Sequence, residues 1–333
     1  MKKISDIQIF TLENEFLHVE IGSIGAAIFK LIVKDEMNPL DIVLGYDNLK
    51  DYFTNPGNHG VVIGRNANRI ENAEITIANK TYQLEKNDGN NNLHSGSNGL
   101  AKRLFDGYKE DNKVILTTRI LSLSDGFPGN LSVKVIYELN GYDLKVSYEA
   151  VSDQDTIINL CNHSYFNLNG HDYSTIYDHT LFIHADHYMP NNKDNYPTKE
   201  ILNVKDTPYD FTRVIDLGTQ LKQNYAEIIR TQGIDNNYLI NYQDNHLLAS
   251  LHSDQTNITL EILSDQNSMH VYTANHFPEP LKGKGGISYP KHGGIAFETQ
   301  FAPNSVNMPW LKSPLKAADE LFTTYTIFRI SKN

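Results

Sequence analysis

Five stretches of the 333-residue chain gather side chains that move protons or grip oxygen atoms. Gly64-Arg65-Asn66-Ala67-Asn68-Arg69-Ile70 sets two arginines four residues apart among asparagines. Such a cluster either forks hydrogen bonds onto ligand oxygens or ties the fold together through its guanidinium groups. Planar groups like Asn68 and Arg69 suit the neutral hydroxyls of a sugar, which ask for paired donors and acceptors rather than one strong charge. Asn90-Asn91-Asn92-Leu93-His94-Ser95-Gly96 has loop composition and one imidazole, His94, which is either a working group or a surface residue. In Asn159-Leu160-Cys161-Asn162-His163-Ser164-Tyr165-Phe166-Asn167 a histidine sits among apolar, aromatic and amide residues. There His163 can exchange a proton near neutral pH or be a hydrogen-bonded core residue, and the segment leaves both open. Gly233-Ile234-Asp235-Asn236-Asn237-Tyr238 holds an aspartate which, taken alone, reads as a turn residue bonding its own backbone. Finally, Glu298 follows Ile295 and Phe297 in an apolar run, where a carboxylate needs a partner or a chemical role.

The elements that must position these groups are strands. Leu17, Val19 and Ile21 alternate with polar residues, as do Leu131, Val133, Val135, Tyr137 and Leu139, with Ile136 the exception. Leu144, Val146, Tyr148 and Ala150 continue the rule, and this period of two marks half-buried antiparallel strands. Asn140-Gly141-Tyr142-Asp143 joins the last two runs as a hairpin, and Glu74–Ile77 with Thr81–Leu84 reads as another. Residues 257–263, 269–273 and 323–330 add further strands. Helical signals are short: Leu221–Arg230 is the best, with Pro314–Leu321 and Asn48–Phe53 as single turns or short helices. No strand–helix–strand alternation, fixed repeat or linker interrupts the pattern. The expectation is all-β: one large antiparallel β-sandwich domain over residues 1–333 with a few short helices.

Composition narrows the class of partner. A net charge of −11 argues against nucleic acid or an anionic membrane surface. No run approaches the ~20 apolar residues of a membrane span, and Asp6, Gln8, Glu13 and Glu15 break any export-signal core after Met1. A soluble, cytoplasmic protein is the expectation. The single cysteine, Cys161, excludes an internal disulfide and reads as a small packing residue. Leu281-Lys282-Gly283-Lys284-Gly285-Gly286-Ile287-Ser288 lacks the spacing of a phosphate loop and reads as a mobile turn. His184 and His187 would point to opposite faces of a strand, which speaks against a metal pair.

Taken in order, six pieces resemble the aldose 1-epimerase (galactose mutarotase) family. They are Gly64–Ile70, Asn92-Leu93-His94-Ser95-Gly96, Asp125-Gly126-Phe127-Pro128-Gly129, Asn162-His163-Ser164-Tyr165-Phe166-Asn167-Leu168, Gly233-Ile234-Asp235, and His292-Gly293-Gly294-Ile295-Ala296-Phe297-Glu298-Thr299-Gln300. The resemblance implies a galactose mutarotase-like supersandwich with an open sugar cleft, no cofactor and no metal. It implies Glu298 as general base and His163 as general acid, with His94, Arg69, Asp235 and Asn68 as substrate-binding groups. One departure is that Asn236 follows Gly-Ile-Asp, where the family often has His. The implied reaction interconverts α and β anomers of free hexoses such as galactose and glucose, in a monomer or homodimer.

Three alternatives stand beside it: an epimerase of hexose 6-phosphates, one acting on the reducing end of a disaccharide, and a non-catalytic sugar-binding module. A phosphate calls for a basic cluster, and only Arg65 and Arg69 of the seven arginines lie together. A silent module would dispense with Glu298 or His163, and both are present.

Overall fold

The computed structural model describes residues 3–36, 38–193, 196–241, 245–277 and 282–332. In it the alternating segments become strands, and the ladders that build the sheets are antiparallel. Leu131–Asn140 buries Leu131, Val133, Val135, Tyr137 and Leu139, while Asp143–Ser152 buries Leu144, Val146, Tyr148 and Ala150. The two strands pair from Leu131 with Ser152 to Asn140 with Asp143, so Asn140 belongs to the ladder and Gly141, at φ 57°, makes the turn. In the second hairpin Ala78 and Asn79 take positive φ between Glu74–Ile77 and Lys80–Gln83.

The first hairpin extends into a nine-stranded sheet, while the second forms a two-stranded sheet of its own. The order of the nine-stranded sheet runs from Asp106–Glu110 through Lys113–Ile120, Leu131–Asn140, Asp143–Ser152, Phe322–Lys332, Ile258–Ser264, Leu247–Ser253 and His179–Ile183 to Ile215–Asp216. A six-stranded sheet is built from Tyr165–Phe166, Ile295–Gln300, Ser268–Tyr272, Asp235–Leu239, His187–Met189 and Leu202–Asn203. A four-stranded sheet uses residues from Ile9 to Asp41. The large sheets face each other: Phe166 on one meets Phe328 on the other at 5.1 Å between ring centroids. One cluster of buried apolar residues reaches from Leu12 to Ile330, and removing that surface from water is what holds the layers together. The fold is a large antiparallel β-sandwich.

Three local expectations are corrected. Leu221–Arg230 is not one helix, for Leu217–Leu221 and Ala226–Thr231 are separate, with extended backbone at Tyr225. The first starts earlier than expected because the Asp216 side chain caps it, accepting from the Thr219 N–H. Pro314–Leu321 is not helical either, because Leu315–Lys316 finds a partner strand in Thr156–Ile157 that satisfies its backbone. The glycine-rich turn at Lys284–Gly286 is pinned rather than mobile, since buried Lys284 bonds Asp41 Oδ2 and the Val43 carbonyl, each at 2.7 Å. Asn48–Phe53 does form a short turn, a 3-10 helix over Leu49–Phe53. No helix among the described residues is long and apolar enough to cross a membrane.

The packing also predicts acid sensitivity. Burial lowers His59 to about 3, and it lowers His179 and His292 to about 4. An unfolded imidazole takes its proton near pH 6.5, so below that the unfolded chain binds more protons and stability falls with pH. Each such histidine weakens the fold by about 1.4 kcal/mol per pH unit across the window between its two values. Urea midpoints should therefore be lower at pH 5 than at pH 7; equal midpoints would contradict the neutral burial of these rings.

Candidate active site

Register on the six-stranded sheet decides which side chains share a face. On Ile295–Gln300, Ile295 and Phe297 join the core cluster and Thr299 reaches Thr326 of the nine-stranded sheet. The alternate residues Ala296, Glu298 and Gln300 therefore turn the other way. Glu298 is paired with His270, and His270 with Asn237; Ala296 is paired with Tyr272, and Tyr272 with Asp235. Paired residues project to the same side, so Glu298, His270 and Asp235 occupy one polar face.

His163 comes to that face from a different part of the chain. Cys161–Asn162 pairs with Val62–Ile63, and the chain pairs again at Tyr165–Phe166 beside Ile295 and Ala296. Between the two ladders the backbone of His163 is tied to the Val61 carbonyl at 2.9 Å and the Gly60 N–H at 3.1 Å. Asn162 locks the bend, accepting from the Ser164 N–H and donating to the Gly60 carbonyl. The result sets His163 Nε2 3.6 Å from Glu298 Oε1, with the two residues only 5% and 1% exposed. The other ring nitrogen, Nδ1, is buried without a partner.

His94 lies edge-on to His163, ring centroids 5.5 Å apart, in a turn after Asn92–Leu93. Asn68 fixes it: the Asn68 N–H donates to His94 Nδ1 at 3.2 Å, and the His94 N–H donates to the Asn68 carbonyl at 3.1 Å. The Asn68 side chain accepts from the Arg69 N–H at 2.8 Å. Burial, then the charges of His163 and Arg69, hold His94 well below the usual imidazole range. It is a neutral ring whose Nδ1 accepts, so its proton sits on Nε2.

Arg69 and Asp235 face each other across the site. Arg69 Nε is held by Asp88 Oδ2 at 2.7 Å. Burial opposes charge on Arg69, but Asp235 and Asp88 outweigh it and raise the guanidinium further. Asp235 Oδ1 accepts from His270 Nε2 at 2.8 Å. Burial works to raise the Asp235 carboxyl, yet His270, by hydrogen bond and charge, and Arg69 together hold it below the usual carboxylate range. Asp235 lies in a strand rather than a turn, so its bond runs across the sheet to His270.

The structure thus brings Glu298, His163, His94, Arg69 and Asp235 together, with Asn68 beside them. It separates the two arginines of the first motif. Arg65 is buried and donates to the Pro128 and Gly129 carbonyls and to Thr156 Oγ1, a tie that holds the fold. His292 is likewise structural, bound to Tyr177 OH at 2.7 Å and the Gln232 carbonyl at 2.8 Å. His270 escapes the sequence reading. Its only signal is a polar residue between Met269 and Val271, and its importance depends on a ladder partner that local pattern does not reveal.

His94, His163 and Glu298 each bring a donor atom within 4.8 Å of the others, the ligand set of a two-histidine, one-carboxylate metal site. The locked ring of His94 argues against that use. Its Nε2 presents a proton, and freeing Nδ1 would leave the Asn68 N–H without an acceptor. What the three residues do offer is a carboxylate that accepts a proton, an imidazole that can donate one, and a fixed N–H donor.

Comparison with known proteins agrees with this chemistry. The family model described as aldose 1-epimerase matches residues 8–329. The galactose mutarotase of Bos taurus is 36% identical over 98% of this chain and 94% of its own length. The aldose 1-epimerase of Haemophilus influenzae is 32% identical over 91% of this chain and 88% of its own. Among solved structures, the GalM/aldose epimerase homologue from C. elegans superposes with a TM-score of 0.91 at 25% identity, covering 98% of this chain and 99% of that one. The galactose 1-epimerase of Lactobacillus acidophilus gives 0.86 at 26% identity, over 98% and 95% of the two chains.

Proposed function

The chain belongs to the aldose 1-epimerase family, and from that premise we propose that Glu298 is the general base and His163 the general acid of its reaction. The enzyme is an isomerase that interconverts the α and β anomers of free sugars. We read its substrates as neutral hexoses such as galactose and glucose, and the protein as one domain over residues 1–333.

In the proposed mechanism Glu298 removes the proton from the C1 hydroxyl while His163 gives one to the ring oxygen. The electron pair left on the C1 oxygen forms the carbonyl as the C1–O5 bond breaks, and its electrons stay with the protonated O5. Rotation about C1–C2 then presents the other face of the aldehyde. Closure returns each proton, leaving the opposite anomer and an unchanged protein. C1–OH and O5 are joined to the same carbon, so acid and base must work close together. The observation that carries this reading is the 3.6 Å approach of His163 Nε2 to Glu298 Oε1 in a buried setting. Arg69, Asp235 and the Nε2–H of His94 supply donors and an acceptor for the remaining hydroxyls. Because Arg69 is already matched by Asp88 and Asp235, the site favours a neutral sugar over a phosphorylated one.

Polarimetry of freshly dissolved α-galactose and α-glucose tests the substrate reading. The protein should speed the approach to the equilibrium rotation for both sugars. A rate no faster than the uncatalysed one for either sugar would reject it, and faster turnover of a hexose 6-phosphate would favour the phosphorylated substrate instead.

A further inference from the structure

The base has a neighbour whose role nothing above requires. Cys161 is fully buried, and its Sγ lies 3.5 Å from Glu298 Oε2 and 3.7 Å from Gln300 Oε1. The two oxygens of Glu298 are thus divided: Oε2 faces the thiol, while Oε1 faces His163. A thiol has one proton, and the closer, charged acceptor takes it.

We infer that Cys161 is a positioning residue for the general base: its S–H donates to Glu298 Oε2 and so turns Oε1 toward the sugar. This rests on the role proposed for Glu298. Burial, reinforced by the charge of Glu298, pushes the thiol well above its usual range, so it stays protonated and remains a donor. A carboxylate 1% exposed needs such a donor, because an unpaired buried charge is costly. The backbone makes the contact rigid, for Cys161 is laddered to Ile63 and Glu298 to His270. Cys161 also stands two residues before His163. One short segment therefore delivers both the acid and the group that orients the base.

The test compares Cys161→Ala, Cys161→Ser and Cys161→Val in the full chain, with galactose as substrate. Loss of the donor in the Ala and Val variants should lower kcat about 10-fold, since hydrogen bonds to charged groups are the strong ones. KM should change by less than about twofold, because the thiol does not touch the sugar in this arrangement. Serine, which keeps a donor, should restore most of kcat. A packing role alone would lower Tm and leave kcat of the folded variant near the parent value. Wild-type kcat in Cys161→Ala, or a serine variant as impaired as alanine, overturns the inference. If the alanine variant fails to fold, the serine–valine comparison decides on the same criteria. Glu298→Gln keeps the two ideas apart: an inactive Glu298→Gln beside a normal Cys161→Ala removes only the thiol's role, whereas an active Glu298→Gln removes the base itself.

Discussion

Glu298→Gln should lower kcat for galactose anomer exchange by about 10²–10⁴-fold, the range a positioned general base supplies. The amide keeps the shape of the carboxylate and can still accept from Cys161 at one oxygen, so the site should stay folded. What it loses is the ability to take the C1 hydroxyl proton. Asp235, the other carboxylate described at the site, is a poorer base, because despite burial the hydrogen bond from His270 and the charge of Arg69 hold it below the usual carboxylate range. KM should move little, since the amide can still hydrogen-bond the C1 hydroxyl. Polarimetric kcat and KM at pH 7 measure both quantities. A variant within a few-fold of the parent rate would remove Glu298 from the mechanism.

His163→Asn should cost a similar factor, about 10²–10⁴ in kcat, for the complementary reason. Asparagine can donate a hydrogen bond but cannot deliver a proton to the ring oxygen. The neighbouring His94 does not rescue it. With His163 replaced, burial and the charge of Arg69 still hold its ring below the usual imidazole range, and Asn68 fixes its tautomer. Polarimetric kcat at pH 7 measures the loss, and a variant within a few-fold of the parent rate would assign the acid to another residue.

These two residues were legible in the chain to different degrees. Glu298 stood out because a carboxylate inside an apolar strand violates the pattern around it, and the structure finds it buried. His163 was ambiguous by itself, since an imidazole among aromatic residues is as readily a core residue. The order of six motifs makes it, through family resemblance, the expected general acid. Asp235 looked like a turn residue because Gly233 and Asn236 surround it, yet it begins the strand Asp235–Leu239. A short segment takes the structure its neighbours impose, so Leu315–Lys316 is a strand because it pairs with Thr156–Ile157.

By itself the sequence determined the strands, the alternation that buries one face of each, and the kinds of residue available for proton transfer. Those properties are local: a period of two needs only the few residues that carry it. The tertiary structure alone decided which side chains meet. Cys161 and Glu298, 137 positions apart, touch because two separate ladders bring their strands together. His270 enters the site because cross-strand register sets it opposite Glu298. Of two arginines four residues apart, Arg65 turns to the carbonyls of Pro128 and Gly129, while Arg69 meets Asp88 at the site. Register, contact and tautomer depend on partners distant in the chain, and no local pattern encodes them.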